Sequence, residues 1–207
     1  AIGSCTFSSL HIPITNNEIY LSRMNENIVV YGCYGYTGRL VVDELIKLGI
    51  KPILSGRNAE KVNALAMELG LEAKPSSLDS SELDKLMKGA KVMAHCAGPF
   101  IYTAKPMMEA CMRNGVHYLD ITGEIDVFRM GHQFDEQAKK AGVVLLPGAG
   151  FDIVPSDCLA AHLHSRLPDA NDLELAFYSK GRSSRGTSLT VVEGMGRGGA
   201  IRKNGKL

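Results

Sequence analysis

Three glycines spaced three apart, Gly32, Gly35 and Gly38, follow an apolar run that ends at Tyr31. The first glycine permits a tight turn, the second lets the backbone approach a phosphate without a Cβ, and the third lets a helix pack close to the strand. The N-terminus of that helix offers free N–H groups and a positive dipole to an anion. The pattern predicts a dinucleotide-binding loop, and a structural turn that binds nothing is the alternative. The candidate contacts are Gly32, Tyr34, Gly35, Tyr36, Thr37 and Gly38.

A second set of candidate residues follows the next predicted strand. A carboxylate about 20 residues beyond the glycines accepts from the adenosine ribose in NAD-binding domains. Ser55, Arg57 and Asn58 hold that place here, and no carboxylate is available. A hydroxyl and a guanidinium suit a 2′-phosphate, which arginine can bind with two parallel donors. We therefore predict NADP rather than NAD, and the alternative is that Arg57 is a solvated surface charge.

Two further positions belong to the predicted cofactor site. Asp79 is an acceptor for the adenine amino group, unless it only caps the next helix. The backbone of Cys96, Ala97, Gly98 and Pro99 ends a strand at the carboxyl edge of the sheet and is predicted to line the nicotinamide ribose. Cys96 itself is interpreted as a packed small residue and not as a nucleophile.

The side chains that could serve a reaction lie after the last two predicted strands. A nicotinamide enzyme must hold its cofactor against an electrophilic carbon and supply or remove one proton. Asp152, Tyr118, Asp120 and Glu124 are the candidates, and Asp152 is the preferred substrate contact. Alternation along a strand places Tyr118 and Asp120 on one face. Each of the four could instead be a helix cap or a turn residue.

These residues need a sheet to bring them together. From Ile28 on, apolar strands alternate with helical patterns, which predicts an α/β, Rossmann-type, doubly wound parallel sheet. The predicted strands cover 28–31, 53–55, 71–74, 91–96, 116–121 and 143–146. The predicted helices include 38–48, one whose first turn holds Pro106, and one continuous helix over 127–141.

The chain is predicted to hold one full domain and part of another. Residues 24–157 form the nucleotide-binding domain, and 158–207 begin a second, mixed α/β domain, including a strand over 173–178, whose remainder lies outside this sequence. Residues 1–23 lack the alternating strand and helix pattern that begins at Ile28. They are interpreted as a leader or an artificial extension, with a short native extension as the alternative.

Composition excludes several function classes for the 207 residues. A net charge of +1 gives no electrostatic case for nucleic acid or an anionic membrane, and no run approaches the ~20 apolar residues of a membrane span. Five scattered cysteines without a C-x-x-C pair indicate a reducing, cytoplasmic location. His162 and His164 face different ways on a helix, so no metal site is expected.

With these segments placed, the chain resembles the saccharopine dehydrogenase-like oxidoreductases, which include trans-acting enoyl reductases. The matching stretches are 31–39, 55–58, 96–100, 117–124 and 147–157, with weaker similarity at 185–187 and 193–194. Saccharopine-forming enzymes carry a Gly-x-Asp-Pro-Gly element whose Asp contacts substrate. Here Asp152 is kept, but Ile153 and Val154 replace Pro-Gly, which speaks against saccharopine itself.

The resemblance implies an NADP-binding domain followed by a domain that helps bind a small-molecule substrate and mediates homodimerisation. The reaction it favours is transfer of a hydride from NADPH to a C=C or C=N bond. A reductase with a Tyr-x-x-x-Lys acid is excluded, because no tyrosine has a lysine four residues on. A non-catalytic NADP-binding regulatory or sensor protein remains the alternative.

Overall fold

The computed structural model describes residues 27–176, 178, 181 and 184–196. The extension predicted at 1–23 lies outside these residues. The strands are β1 (Ile28–Tyr31), β2 (Ile53–Ser55), β3 (Val92–His95), β4 (His117–Asp120) and β5 (Leu145–Leu146). The helices of the described residues are α1 (Tyr36–Lys47), α2 (Ala59–Leu69), α3 (Ser80–Met87), α4 (Phe100–Asn114), α5 (Ile125–Gln133), α6 (Asp135–Ala141), α7 (Val154–Arg166) and α8 (Arg185–Gly194).

The five strands form one parallel sheet in the order β2-β1-β3-β4-β5. The order runs outward in both directions from β1, which confirms the predicted doubly wound α/β fold. The register aligns the carboxyl ends, since Tyr31 lies opposite both Ser55 and His95, and His95 lies opposite Asp120. The loops that carry the candidate residues therefore meet at one edge of the sheet.

Helices cover both faces of the sheet. Val30 packs with Val42 of α1 and Val62 of α2 on one face. Val29 and Tyr31, which point the other way because side chains alternate along a strand, pack with α3 and α4 on the opposite face. Both layers are buried, as expected for a parallel sheet with helical crossovers.

The strand predicted over 71–74 is wrong. This segment makes only a single bridge, Leu54 with Ala73, so the sheet of the described residues has five strands and not six. The Leu54 amide donates to Glu72 and the Lys74 amide donates to Leu54. The Ser76 amide continues the contact by donating to the Gly56 carbonyl at 3.2 Å, so the segment follows β2 through single hydrogen bonds without forming a regular strand.

Three helix predictions also need correction. Helix α1 begins at Tyr36, two residues before the predicted start at Gly38. Pro106 is not in a first turn, because α4 begins at Phe100 and Pro106 lies inside it. The helix predicted over 127–141 is divided at Phe134 into α5 and α6. The wrong placement of Pro106 came from assuming that proline opens a helix, although a helix held by packing tolerates the loss of one hydrogen bond.

The chain beyond the sheet is largely exposed. Ser156 on α7 is the last buried residue in the described part of the chain. The strand predicted over 173–178 is wrong for its described residues, 173–176 and 178, which have no regular structure. None of the helices in the described ranges is long and apolar enough to cross a membrane. Within the same ranges, no group of three His, Cys, Asp or Glu side chains could hold a metal ion.

Candidate cofactor-binding and active site

The first glycine of the triplet brings two loops of the sheet edge together. Gly32 follows β1 with φ +84, which favours glycine. A Cβ on it would lie 2.9 Å from the Cβ of Ala97 and 3.0 Å from the Ala97 amide nitrogen. Gly32 is therefore needed both for the turn and for the close approach of the loop after β3.

The other two glycines pack against the carbonyl oxygen of the first one. A Cβ on Gly38 would overlap the carbonyl oxygen of Gly32, and one on Gly35 would lie 3.1 Å from the same oxygen. The Gly35 amide donates to that oxygen at 2.9 Å. Among the described residues, the amides of Tyr36, Thr37 and Gly38 have no acceptor. They leave the N-terminus of α1 open to an anion, as the sequence predicted.

Ser55 supports the glycine loop through its carbonyl, and its hydroxyl forms a hydrogen bond inside the protein. Its side chain is buried, and its Oγ donates to the Lys74 carbonyl at 2.7 Å. Its own carbonyl accepts from the amides of Gly32 and Cys33 at 2.9 and 3.2 Å. In this structure the hydroxyl joins β2 to the 72–74 segment, and its predicted use for a 2′-phosphate stays a prediction.

Tyr34 connects the glycine loop to the turn after β2. Its ring lies over Gly56, where a Cβ would come 2.7 Å from the ring. Its hydroxyl accepts from the Asn58 amide at 3.3 Å, and the Lys61 ammonium lies 5.8 Å from its ring centre. Gly56 was missed as a site residue, although a glycine directly before Arg57 is a signal for close packing.

Arg57 stands exposed at this turn and has no carboxylate in ion-pair range among the described residues. Burial raises the pKa of the nearby Tyr31 to about 12, while the Arg57 charge acts to lower it. Asn58 caps α2, because its Oδ1 accepts from the Lys61 amide at 2.9 Å. A fixed turn thus presents a free guanidinium beside the glycine loop.

Asp79 occupies the position before α3 but does not cap it through its side chain. Its carboxylate instead accepts from the Ser77 hydroxyl at 2.7 Å. The side chain is exposed on the segment that leads away from the bridge at Ala73. Its predicted role toward adenine stays a prediction.

The loop after β3 is held from inside the protein. Thr103 Oγ1 lies 2.9 Å from the Ala97 carbonyl oxygen and 3.3 Å from the Pro99 carbonyl oxygen. Burial and the Asp120 charge raise the pKa of Cys96 to about 12, so its thiol stays protonated. This agrees with the interpretation of Cys96 as a packed residue. The chain also places Gly98 beside the ring of Phe100.

Glu124 caps a helix with both of its carboxylate oxygens. Its two carboxylate oxygens accept from the amides of Phe100 and Ile101, at 2.9 and 2.7 Å. These amides belong to the first turn of α4, where the helix dipole favours a negative charge. Each oxygen holds one amide of α4, so the carboxylate acts as a cap in this structure, and the predicted catalytic role of Glu124 stays a prediction.

Tyr118 and Asp120 form a buried pair, and their predicted catalytic role stays a prediction. The Tyr118 hydroxyl donates to Asp120 at 2.6 Å, so the predicted shared face is confirmed. The other Asp120 oxygen accepts from the amides of Thr122 and Gly148, at 3.0 and 2.8 Å. Burial raises the pKa of both side chains. The pair anchors the loop after β5 to the end of β4.

Asp152 is the one predicted reactive carboxylate that remains exposed. It lies on the loop between β5 and α7, and its carboxylate approaches the backbone of the loop after β4. A Cβ on Gly123 would collide with its Oδ2, and one on Gly150 would lie 3.2 Å from its Oδ1. Glycine at these two positions lets the carboxylate lie across the carboxyl edge of the sheet.

His95 and Thr103 were missed by sequence reasoning. His95, the last residue of β3, is fully buried, and its Nε2 lies 2.9 Å from Thr103 Oγ1. A histidine within an apolar strand, followed eight residues later by a threonine in a helical pattern, was the available signal. Neither residue type by itself distinguishes a site from a core.

The fold and this edge define a class of protein. A parallel doubly wound sheet has a glycine-rich turn after β1, open helix amides and a free arginine after β2. These are the features of a dinucleotide-binding α/β domain that takes NADP.

Residues 28–146, more than half of the chain, match the family of the saccharopine dehydrogenase NADP-binding domain. The chain belongs to this family, and the resemblance carried by its motifs is confirmed. A saccharopine dehydrogenase-like oxidoreductase from Bos taurus is 29% identical over 162 residues, which cover 68% of this chain and 38% of that protein. A trans-acting enoyl reductase from Mycobacterium bovis (strain BCG / Pasteur 1173P2) is 30% identical over 185 residues, covering 82% of this chain and 44% of the relative.

A solved structure shares the fold. Saccharopine dehydrogenase (L-Glu forming) from Saccharomyces cerevisiae, in its apo histidine-tagged form, matches with a TM-score of 0.61 at 20% identity, covering 70% of this chain and 32% of that chain. The chain thus spans less than half the length of these relatives.

Proposed function

We propose that this chain is the NADP-binding part of an oxidoreductase that transfers a hydride from NADPH to a C=C or C=N bond of a small molecule. The observation that carries the proposal is the convergence of two loops at one edge. Gly32 approaches Ala97 closely, so a cofactor held by the open amides of α1 has the loop after β3 beside it. Arg57 follows β2, the strand on the other side of β1, and its side chain is exposed there.

Asp152 is the proposed substrate contact. It is the exposed carboxylate among the four candidates, and it lies on the edge where the nicotinamide of such domains is held. Tyr118, Asp120 and Glu124 act on the site indirectly in this proposal, since they fix the loops on either side of it. A carboxylate in this place can bind a cationic nitrogen or accept a proton.

The proposed cofactor is tested first, by titration calorimetry of the 207-residue chain with NADPH and NADH. We expect NADPH to bind more tightly. Hydride transfer is then tested by measuring NADPH consumption with a panel of enoyl and imine substrates, on a protein that carries the complete substrate-binding domain, because the 207-residue chain spans less than half the length of its relatives. Tight binding of NADPH with consumption by no substrate of the panel would contradict the reaction but not the cofactor.

Two variants test the role of Asp152. Asp152→Asn removes the charge, and Gly123→Ala forces the carboxylate to turn away because the added Cβ takes its place. We expect both to lower kcat/KM by about tenfold or more without changing the dissociation constant of NADPH. Asp169→Asn, at another exposed aspartate, is the matched control. Normal turnover by both variants would exclude Asp152 from the reaction.

The second candidate function is a non-catalytic NADP-binding sensor or regulatory protein. One observation favours it: three of the four predicted reactive side chains are engaged inside the protein, and only Asp152 is exposed. A conformational response to NADPH without turnover, measured by hydrogen exchange of the loops after β3 and β5, would support this candidate.

We also propose the domain division at about residue 157, with the cofactor domain before it and the beginning of a substrate-binding and dimerising domain after it. The support is that side-chain burial ends at Ser156 in the described part of the chain. Sedimentation of the 207-residue chain tests the dimer, and a monomer at all concentrations would contradict its formation by this segment.

A further inference from the structure

His95 is a polar side chain placed in the middle of the core. It is fully buried between three aromatic rings, with ring centres 5.5 Å away for Tyr31, 5.2 Å for Phe100 and 6.1 Å for Tyr118. Its Nε2 contacts Thr103 Oγ1, whereas its Nδ1 is buried with no hydrogen-bond partner among the described residues. Buried polar atoms without partners are rare, and an apolar residue would fill the same space without leaving one.

The hydrogen bonds of Thr103 determine which way His95 donates. The threonine hydroxyl has one hydrogen, and the nearest carbonyl oxygen, on Ala97, can only accept it. The histidine must therefore donate from Nε2 to Thr103 Oγ1. The result is a directed chain of hydrogen bonds, from His95 through Thr103 to Ala97, with the Pro99 carbonyl as a second, longer contact.

This chain ends on the loop that faces the cofactor. Ala97 is the residue that Gly32 approaches, and the carbonyls held by Thr103 flank Gly98. With its carbonyl held inward, Ala97 keeps a fixed distance from the glycine loop. His95 burial lowers its pKa to about 3, so the ring is neutral and keeps one donor and one acceptor.

We propose that His95 and Thr103 are positioning residues for the nicotinamide half of the cofactor: they hold the Ala97–Pro99 backbone in the shape that binds it, without touching the ligand. The inference rests on the proposed NADP function and extends it to residues inside the core. The adenosine half is bound at the other end of the edge, at Arg57, and does not depend on this loop.

The experiment compares two ligands on the 207-residue chain by titration calorimetry. NADPH carries both halves, whereas adenosine 2′,5′-bisphosphate carries the adenosine half and the 2′-phosphate only. Thr103→Val removes the hydroxyl at nearly constant shape, and Thr103→Ser keeps it as the matched control. His95→Leu removes the donor, and His95→Gln keeps one near the Nε2 position.

We expect Thr103→Val and His95→Leu to weaken NADPH binding by about tenfold and to change the affinity for adenosine 2′,5′-bisphosphate by less than about twofold. Thr103→Ser and His95→Gln are expected to bind NADPH as the unchanged protein does. A purely structural role predicts equal weakening for both ligands, and that result would overturn the proposal, as would unchanged NADPH binding by Thr103→Val. If the unchanged protein binds neither ligand, the proposed function fails and this inference fails with it.

Discussion

The carboxylate of Glu124 accepts the amide hydrogen of Phe100 at 2.9 Å, across 24 positions of sequence. The contact joins the loop after β4 to the first residue of α4, immediately after the loop proposed to face the cofactor. It places a negative charge at a helix N-terminus that would otherwise be open to an external anion. Of these two helix N-termini, that of α1 stays open to an external anion, since its amides have no acceptor among the described residues.

Glu124 is expected to matter for stability. Glu124→Ala leaves the amides of Phe100 and Ile101 without their charged acceptor, so we expect the free energy of unfolding to fall by about 2–3 kcal/mol. Urea denaturation measures the change. Glu136→Ala removes an exposed carboxylate paired only on the surface, and is expected to cost less than about 0.5 kcal/mol. Equal effects of the two variants would show that the cap is weak.

Arg57 is expected to select the cofactor. Arg57→Asp replaces the donor for a 2′-phosphate with a carboxylate that repels it and accepts from a ribose hydroxyl. We expect NADPH affinity to fall by about tenfold or more while NADH affinity is retained or rises, as measured by calorimetry. Arg166→Asp, at an exposed arginine of α7, serves as control. An unchanged preference would contradict the placement of the phosphate.

Gly38 is expected to tolerate no side chain. Gly38→Ala would place a Cβ against the Gly32 carbonyl, which is backbone and cannot rotate away. We expect loss of NADPH binding and destabilisation by about 1–3 kcal/mol, measured by calorimetry and thermal unfolding. Gly194→Ala, at a helical glycine with nothing within 4 Å, is the control and should be neutral or slightly stabilising. NADPH binding by Gly38→Ala at normal affinity would exclude the tight turn as a requirement.

His95 is expected to make stability depend on pH. Burial lowers the pKa of its ring to about 3, whereas a histidine in an unfolded chain titrates near about 6.5. Between these values the unfolded state binds a proton that the folded state does not, so stability falls as the pH falls. Relative to His95→Gln, the unchanged protein should lose about 1.4 kcal/mol for each unit between roughly pH 6 and pH 4.

Urea denaturation at several pH values measures this slope. His132→Gln, at an exposed histidine of α5, controls for the loss of a histidine and should behave as the unchanged protein does. Parallel curves for His95→Gln and the unchanged protein would mean that the ring of His95 is protonated in the folded state as easily as in the unfolded one.

Features that depend on near neighbours in sequence could be predicted. Asn58 caps α2 by accepting from the amide three residues further on. Side chains alternate between the two faces along β4, so Tyr118 and Asp120 lie on the same face. The glycine triplet and the absence of a carboxylate after β2 predicted an NADP-binding domain, which the family match confirms. A local error occurred at Pro106, which was predicted in a first turn and lies inside a helix.

The amino-acid sequence by itself determined the class of domain and its cofactor, because a nucleotide loop is a short continuous segment whose spacing carries its chemistry. Only the tertiary structure decided which carboxylate is free. Glu124 meets Phe100, Asp120 meets Gly148, and Asp152 is left exposed. A side chain becomes a cap, a buried anchor or a ligand contact according to the donors around it, and those donors come from distant segments that meet only when the sheet has formed.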